Sequence, residues 1–325
     1  MIGILSQTTN PAFNLATEEY LLKKIEEDVF YLYINEPCIV VGKHQNTLAE
    51  VDHEYTLSKN IPVYRRLSGG GTVYHDPGNL NFCFITNEEK GNLVNFEKHA
   101  IPIVKALENL GLTIEVGKRH DFSINGKKIS GNASHIFKNR SIHHGTLLFS
   151  ADLTILNRCL NTTQVKYSDR AVKSIRSEVA NISEYLEQTM TMEEFKLYLF
   201  NYLLSYFTDA KKYELTNRAE EIVNGLIETK YSTWEWNYGY SPVYKLSKSI
   251  RINHLTIISN LTVEKGIISN ISFTCDDKEL LKELDVFAEI VRGIQHNREA
   301  LLMAFNDPSP FIAGMSWDKI VKLLF

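Results

Sequence analysis

The chain has 325 residues, 44% of them hydrophobic and 23% charged, with a formal net charge of −4. That length supports a substantial core plus a second, smaller domain, and the composition is ordinary for a globular protein. The weak acidity excludes a general nucleic-acid or membrane-surface binder, which needs a basic footprint, while leaving room for a local basic pocket.

The amino terminus, MIGILSQTTNPAF, lacks the basic start and long apolar run of a signal peptide. No apolar stretch approaches the length of a membrane span. Cys38, Cys83, Cys159 and Cys275 are far apart and form no CxxC pair, which argues against a disulfide framework or a zinc site. A reducing, cytoplasmic location is the expectation. Phe13, Ala16 and Tyr20 recur at helical spacing, predicting an amphipathic helix that opens just after Pro11, with Glu18, Glu19, Lys23 and Lys24 on its other face. Residues 30–34 and 38–42 read as short strands separated by Asn-Glu-Pro, and GKHQN after them reads as a solvated turn.

Residues 64–84, YRRLSGGGTVYHDPGNLNFCF, are the stretch around which the rest is organised. Three glycines in a row are costly in regular structure, but they let backbone approach a ligand or adopt positive φ. Adjacent arginines supply cations that fork onto phosphate or carboxylate. From residue types alone, an anion-handling turn and a tight hairpin with surface arginines are both open. Leu80, Phe82 and Phe84 alternate with Asn81, Cys83 and Ile85, so a strand with two distinct faces follows the HDPGN turn. The motif is therefore strand–loop–strand, and without GxxxxGK[ST] the P-loop mechanism is not available.

Ile103, Leu107 and Leu110 mark a helix ending at Gly111. Asn125-Gly126 predicts a hairpin that places Lys128 on a strand just before Ser130-Gly131; by itself such a lysine reads as a solvated edge charge. His143-His144 has no accompanying HExxH or carboxylate set, so packing or a loop hydrogen bond is expected rather than a metal. Residues 166–181 form a basic patch, either a solvated connection or a mobile substrate loop. Thr191 and Glu194 make a capping box, and Phe195, Leu199, Tyr202 and Tyr206 line one face of the helix that follows. Turn chemistry at Ser241-Pro242 suggests a domain boundary. Beyond it, strands flank Lys265-Gly266, followed by helices near 277–291 and 318–325.

With these pieces in place, the sequence resembles the lipoate–protein ligase A family. RRLSGGGTVYHDPGNLNF is similar to its arginine–glycine signature, GKKISGNAS to its lysine signature, and HHGTLL and KSIRSEVANI to the segments that follow. The resemblance implies an α+β fold: a mixed-sheet catalytic domain of the biotin ligase and class II aminoacyl-tRNA synthetase type over residues 1–243, and a small α+β accessory domain over 244–325. It implies that lipoate and ATP form lipoyl-AMP, whose acyl group passes to a lysine of an apo lipoyl domain of a 2-oxoacid dehydrogenase complex or of the glycine cleavage carrier. Lys128 matches the catalytic lysine that also meets ATP and lipoate. Arg66, Gly71, Thr72, Val73 and Tyr74 match the nucleotide stretch, and Asp121 an acidic residue near the ribose–phosphate and Mg²⁺. Asn79 and His144, with Arg66, match lipoate-pocket positions, while Ser68, Gly69, Gly70 and His75 hold the loop in shape.

The chemistry is consistent with this. A carboxylate attacking an α-phosphate brings together two anions, which at about 4 Å repel by roughly 4 kcal/mol at an effective dielectric near 20. A fixed cation at that junction offsets the repulsion. The rival within the fold, an octanoyl or lipoyl transferase working through a cysteine thioester without ATP, needs a cysteine shortly before the lysine motif, and VGKRHDFSI has none. The loop pattern of a biotin ligase differs from RRLSGGG. A non-catalytic acyl-nucleotide-binding module is the alternative from another class, and the presence of both Lys128 and Arg66 argues against it.

Overall fold

Buried strands form the interior of a six-stranded mixed sheet, whose order is Asn132–Phe137, Arg140–Leu148, Asn79–Asn87, Val29–Ile34, Ile2–Leu5, Lys211–Lys212. The first four strands pair antiparallel with one another, and the last two add in parallel beside Val29–Ile34. This computed structural model describes residues 1–88, 96–118, 120–160, 166–252, 254–304 and 320–325. The chain divides into two units. The first comprises Met1–Lys43, Asp52–Leu160 and Lys173–Thr233; the second comprises His44–Val51, Asn161–Val172 and Trp234–Phe325. The second unit thus takes Trp234–Val243 and two upstream segments in addition to residues 244–325.

In the first unit both faces of the sheet are covered. Leu80, Phe82 and Phe84 turn into a core shared with the helices Phe96–Glu108 and Met192–Tyr206. The helix Pro11–Lys24, capped by Asn10, lies on the other face, where Tyr31 and Tyr33 reach its Asn14 and Glu18. This corrects the expected polar face of that helix. Glu18 and Glu19 are buried, because the helix is held between the sheet and the segments Asn217–Leu226 and Ile227–Tyr231. Glu19 there meets Lys23, Lys230 and the Tyr231 hydroxyl, which together draw its carboxyl below the ordinary range against the opposing pull of burial. In the helix Met192–Tyr206 the capping box is present, but the buried stripe is Phe195, Leu199, Phe200 and Leu203; Tyr206 is exposed.

A three-stranded sheet carries the glycine loop. Cys38–Val41 is its middle strand, parallel to Val63–Arg65 and antiparallel to Val73–His75. The two strands flanking the loop never pair with each other, so residues 66–72 form a crossing and not a hairpin. A third small sheet, Glu115–Val116, Phe122–Ile124, Lys127–Lys128, presents the lysine. Its last turn has Asn125 at φ 51° and Gly126 at φ 75°, the double positive φ that a two-residue hairpin of this type requires.

The second unit is an antiparallel sheet of Lys166–Asp169, Tyr244–Ile252, Leu255–Glu264 and Ile267–Thr274. The helix Lys278–Val291, capped by Asp277, packs Leu280, Leu284, Phe287 and Val291 against it. The sequence reading missed the strand Tyr244–Ile252 and the helix Arg298–Met303. The expected helix from Asp318 begins outside the described residues. Residues 166–181 do not behave as one connection: their first part is a strand of this unit, and their last part belongs to the first unit. GKHQN is not a solvated turn either. Gln45 and Asn46 are buried, donating to Val172 O at 3.3 Å and Asp169 Oδ2 at 3.1 Å. Among the described residues no helix is long and apolar enough to cross a membrane.

Candidate active site

Both arginines of RRLSGGG are buried and face inward. Arg65 Nη1 donates to the carbonyls of Gly42 at 3.0 Å and Lys43 at 3.1 Å. Arg66 is only 6% exposed. Its Nε donates to Ser68 Oγ at 2.9 Å and its Nη1 to Val40 O at 3.1 Å. Its Nη2 donates to Gly69 O at 2.6 Å and Gly71 O at 2.7 Å. Burial draws the guanidinium down to about 10, which still leaves it charged at neutral pH. The loop therefore wraps around a cation fixed by its own carbonyls.

The glycines are required by that wrapping. Gly70 has φ +86°, and a Cβ there would sit 3.1 Å from Arg66 Nη2. A Cβ on Gly71 would meet Ser174 Oγ at 3.1 Å and its Cα at 3.4 Å. Ser174 Oγ accepts the Thr72 N–H at 2.9 Å, so KSIRSEVAN lies directly along the loop. Val73 and Tyr74 lie on the strand leaving the loop. Tyr74 is buried, and burial plus Asp76, Cys159 and Asp152 push its phenol up, so it takes no part as an anion.

Beneath the loop runs a buried polar chain. Ser68 Oγ and His144 Nε2 are 2.6 Å apart, His144 Nδ1 and Glu18 Oε2 are 2.7 Å apart, and Tyr33 Oη donates to Glu18 Oε1 at 3.0 Å. His143 and His144 sit in the strand Arg140–Leu148, and among the described residues no group of three His, Cys, Asp or Glu could hold a metal. His75 Nδ1 accepts from Asn35 Nδ2 at 3.0 Å, because Asn35 Oδ1 is occupied by Asn14 Nδ2. Burial, with Arg66 and His144 nearby, pulls His75 down to about 3, so it is neutral and carries its proton on Nε2. That Nε2 and Asn79 Oδ1 are buried without a hydrogen-bond partner among the described residues, and Asn79 Nδ2 donates to Asn81 Oδ1. Both are polar atoms to which a ligand could bond.

Lys128 is built differently. Its backbone is held on both sides by KSIRSEVAN, with Lys128 N–H to Glu178 O at 2.9 Å and Ala180 N–H to Lys128 O at 3.0 Å. Its ammonium lies 3.8 Å from Asp121 Oδ2 and 3.9 Å from where a Gly131 Cβ would be. A Gly70 Cβ would lie 3.7 Å from Ala133 Cβ, two residues beyond Gly131. Glycine loop, lysine motif and KSIRSEVAN thus converge. Asp121 is the carboxylate beside the Lys128 ammonium, and a carboxylate of this kind can share a divalent cation with phosphates and water. Sequence reasoning missed Arg65, Glu18 and Ser174. Glu18 was concealed because it looked like part of a solvated helix face, and Ser174 lay within KSIRSEVANI, a segment noted for its resemblance but without any residue singled out.

No activated thiol accompanies these groups. Burial, and then the neighbouring Glu18, push the Cys83 thiol well above its usual range. Burial and Asp52 push Cys159 up to about 11.

Comparison with known proteins follows the same residues. Residues 10–204 match the family model of the lipoyl protein ligase A/B catalytic domain. Lipoate–protein ligase 1 of Staphylococcus aureus is 42% identical over 264 residues, covering 81% of this chain and 80% of the relative. A bi-partite lipoate protein ligase from Thermoplasma acidophilum, studied with its E2 lipoyl domain, superimposes with a TM-score of 0.63 at 26% identity, over 73% of this chain and 96% of its own. A lipoate-protein ligase A bound with ATP also gives 0.63, at 25% identity, over 74% of this chain and all of its own.

Proposed function

This chain belongs to the lipoyl protein ligase family, and from that premise we propose that it is an ATP-dependent lipoate–protein ligase. A lipoate carboxylate oxygen attacks the α-phosphorus of ATP, the bond to the departing pyrophosphate breaks, and lipoyl-AMP forms. A carrier lysine amine then attacks the acyl carbon, forming an amide and releasing AMP. The carriers are apo lipoyl domains of 2-oxoacid dehydrogenase complexes or the glycine cleavage carrier protein. The working compartment is the cytoplasm, with which four free cysteines are consistent.

The observation that supports this most is the convergence of a part-exposed lysine, Lys128, on a loop whose backbone is opened by Gly70 and Gly71. Lys128 neutralises the carboxylate and α-phosphate as they meet and polarises the acyl carbonyl afterwards. Arg66 holds the loop and supplies positive potential beneath it. Gly71, Thr72, Val73 and Tyr74 run along the nucleotide, and Asn79, His144 and Arg66 border the lipoate head. Ser68, Gly69, Gly70 and His75 maintain the loop's shape. Asp121, with the nucleotide phosphates, would hold Mg²⁺, which supplies further charge neutralisation when bound. The catalytic assignment covers residues 1–243, and residues 244–325 act as an accessory domain.

Incubation with lipoate, Mg-ATP and apo carrier, with pyrophosphate and carrier mass scored separately, tests the reading. Lipoate-dependent pyrophosphate release followed by a lipoyl mass shift is expected. Carrier modification without pyrophosphate would favour the transferase, and neither product would favour a non-catalytic binding module.

A further inference from the structure

Glu18 bonds His144 and not the glycine loop, yet it stands at one end of an unbroken chain of bonds that reaches Arg66 Nε. The chain has a direction. As a carboxylate, Glu18 only accepts, so it takes the Tyr33 Oη proton at 3.0 Å and the His144 Nδ1 proton at 2.7 Å. With His144 neutral, its Nε2 lone pair then faces Ser68, 2.6 Å away. Ser68 then donates its own proton to His144 and keeps its lone pairs for Arg66 Nε at 2.9 Å. In the opposite tautomer His144 would donate to Ser68. The serine proton would have to turn to Gly69 O, 3.4 Å distant, which is the carbonyl that Arg66 Nη2 already holds. All four side chains are at least nine-tenths buried, so water does not short-circuit the relay.

We propose that Glu18 is a positioning residue for the nucleotide loop, acting through His144 and Ser68 on the Arg66 guanidinium. The proposal rests on the ligase reading above. Its role is to fix which carbonyls of residues 69–71 Arg66 binds, and hence how the loop's N–H groups are presented to phosphate.

The test is steady-state pyrophosphate release by the full chain with lipoate and Mg-ATP, comparing wild type, Glu18→Gln, Ser68→Ala and the double variant. Loss of a directing contact behind a binding group typically costs about tenfold or more, so Glu18→Gln is expected to raise KM for ATP about tenfold with a smaller change in kcat and in KM for lipoate. In the Ser68→Ala background the same change should add less than about twofold, because the relay is already cut. Fold-changes that simply multiply, or a rise confined to KM for lipoate, would overturn the relay. So would a Glu18→Gln enzyme indistinguishable from an active wild type, and that result would leave the ligase reading standing. A wild type releasing no pyrophosphate removes both. Should Glu18→Gln fail to fold, His144→Asn retains a donor toward Glu18 while removing the acceptor facing Ser68, and the same cycle with Ser68→Ala gives the same two outcomes.

Discussion

The arginine–glycine loop and the lysine hairpin handle charge in opposite ways. Arg66 is buried and committed to Ser68 and three carbonyls, so its position is determined before any ligand arrives. The Lys128 side chain is 26% exposed and lies 3.8 Å from Asp121 Oδ2, on a strand of two residues. Its backbone is bonded on both sides, and its ammonium is closer to solvent than the Arg66 guanidinium. A preorganised cation costs no reorganisation when an anion binds, but it cannot follow a reacting group. A lysine on a flexible stem can accompany the carboxyl through adenylation and then transfer. The pair therefore reads as a buried, fixed cradle beside a more exposed reagent.

Breaking the more exposed side should give the largest effect. Lys128→Ala is expected to slow lipoate-dependent pyrophosphate release on the order of 10²–10³-fold, with an unchanged melting midpoint, since a part-exposed ion pair contributes little stability. Wild-type rates in that variant would show the lysine to be misassigned. Arg66→Lys tests the cradle in the reverse sense. An ammonium cannot replace a planar fork, so urea unfolding should show a loss of roughly 3 kcal/mol from carbonyls left unsatisfied. Unaltered stability would mean that the loop does not depend on the guanidinium.

The pH dependence sharpens the contrast further. His75 is held near 3 in the folded chain by burial, Arg66 and His144, against about 6.5 unfolded. Between those values the unfolded chain binds a proton that the folded chain refuses, so stability falls as pH drops through that window. The expected loss is on the order of 2 kcal/mol from pH 7 to pH 5, read as the difference between urea unfolding of wild type and of His75→Asn. Equal slopes for the two proteins would contradict it. Ser174→Ala removes the acceptor of the Thr72 N–H and should cost about 1 kcal/mol in the same assay. The smallest effect is expected at the thiols. Cys83→Ser and Cys159→Ser should each retain ligation, and loss of acyl transfer with adenylation intact would favour a thioester route.

The local chemistry of the cradle was legible in the sequence because it depends on residue type: glycines permit positive φ and close backbone approach, arginines supply cations, and Asn-Gly favours a two-residue turn. The alternation through Leu80, Phe82 and Phe84 likewise showed a strand. What the sequence could not show was the partner on each face. Glu18 and Glu19 sit at positions that look solvated until two further segments cover the helix, and the pairing of Val63–Arg65 and Val73–His75 with Cys38–Val41 depends on long-range register. Ser174 gains meaning only from its bond to Thr72, 102 residues away.

The most direct measurement is a crystal structure of the protein with a non-hydrolysable lipoyl-adenylate analogue. The account predicts the phosphate-like group within hydrogen-bond distance of the Lys128 ammonium, with the nucleotide lying along the backbone of residues 70–73. An analogue bound elsewhere, with both elements as they are now, would contradict it.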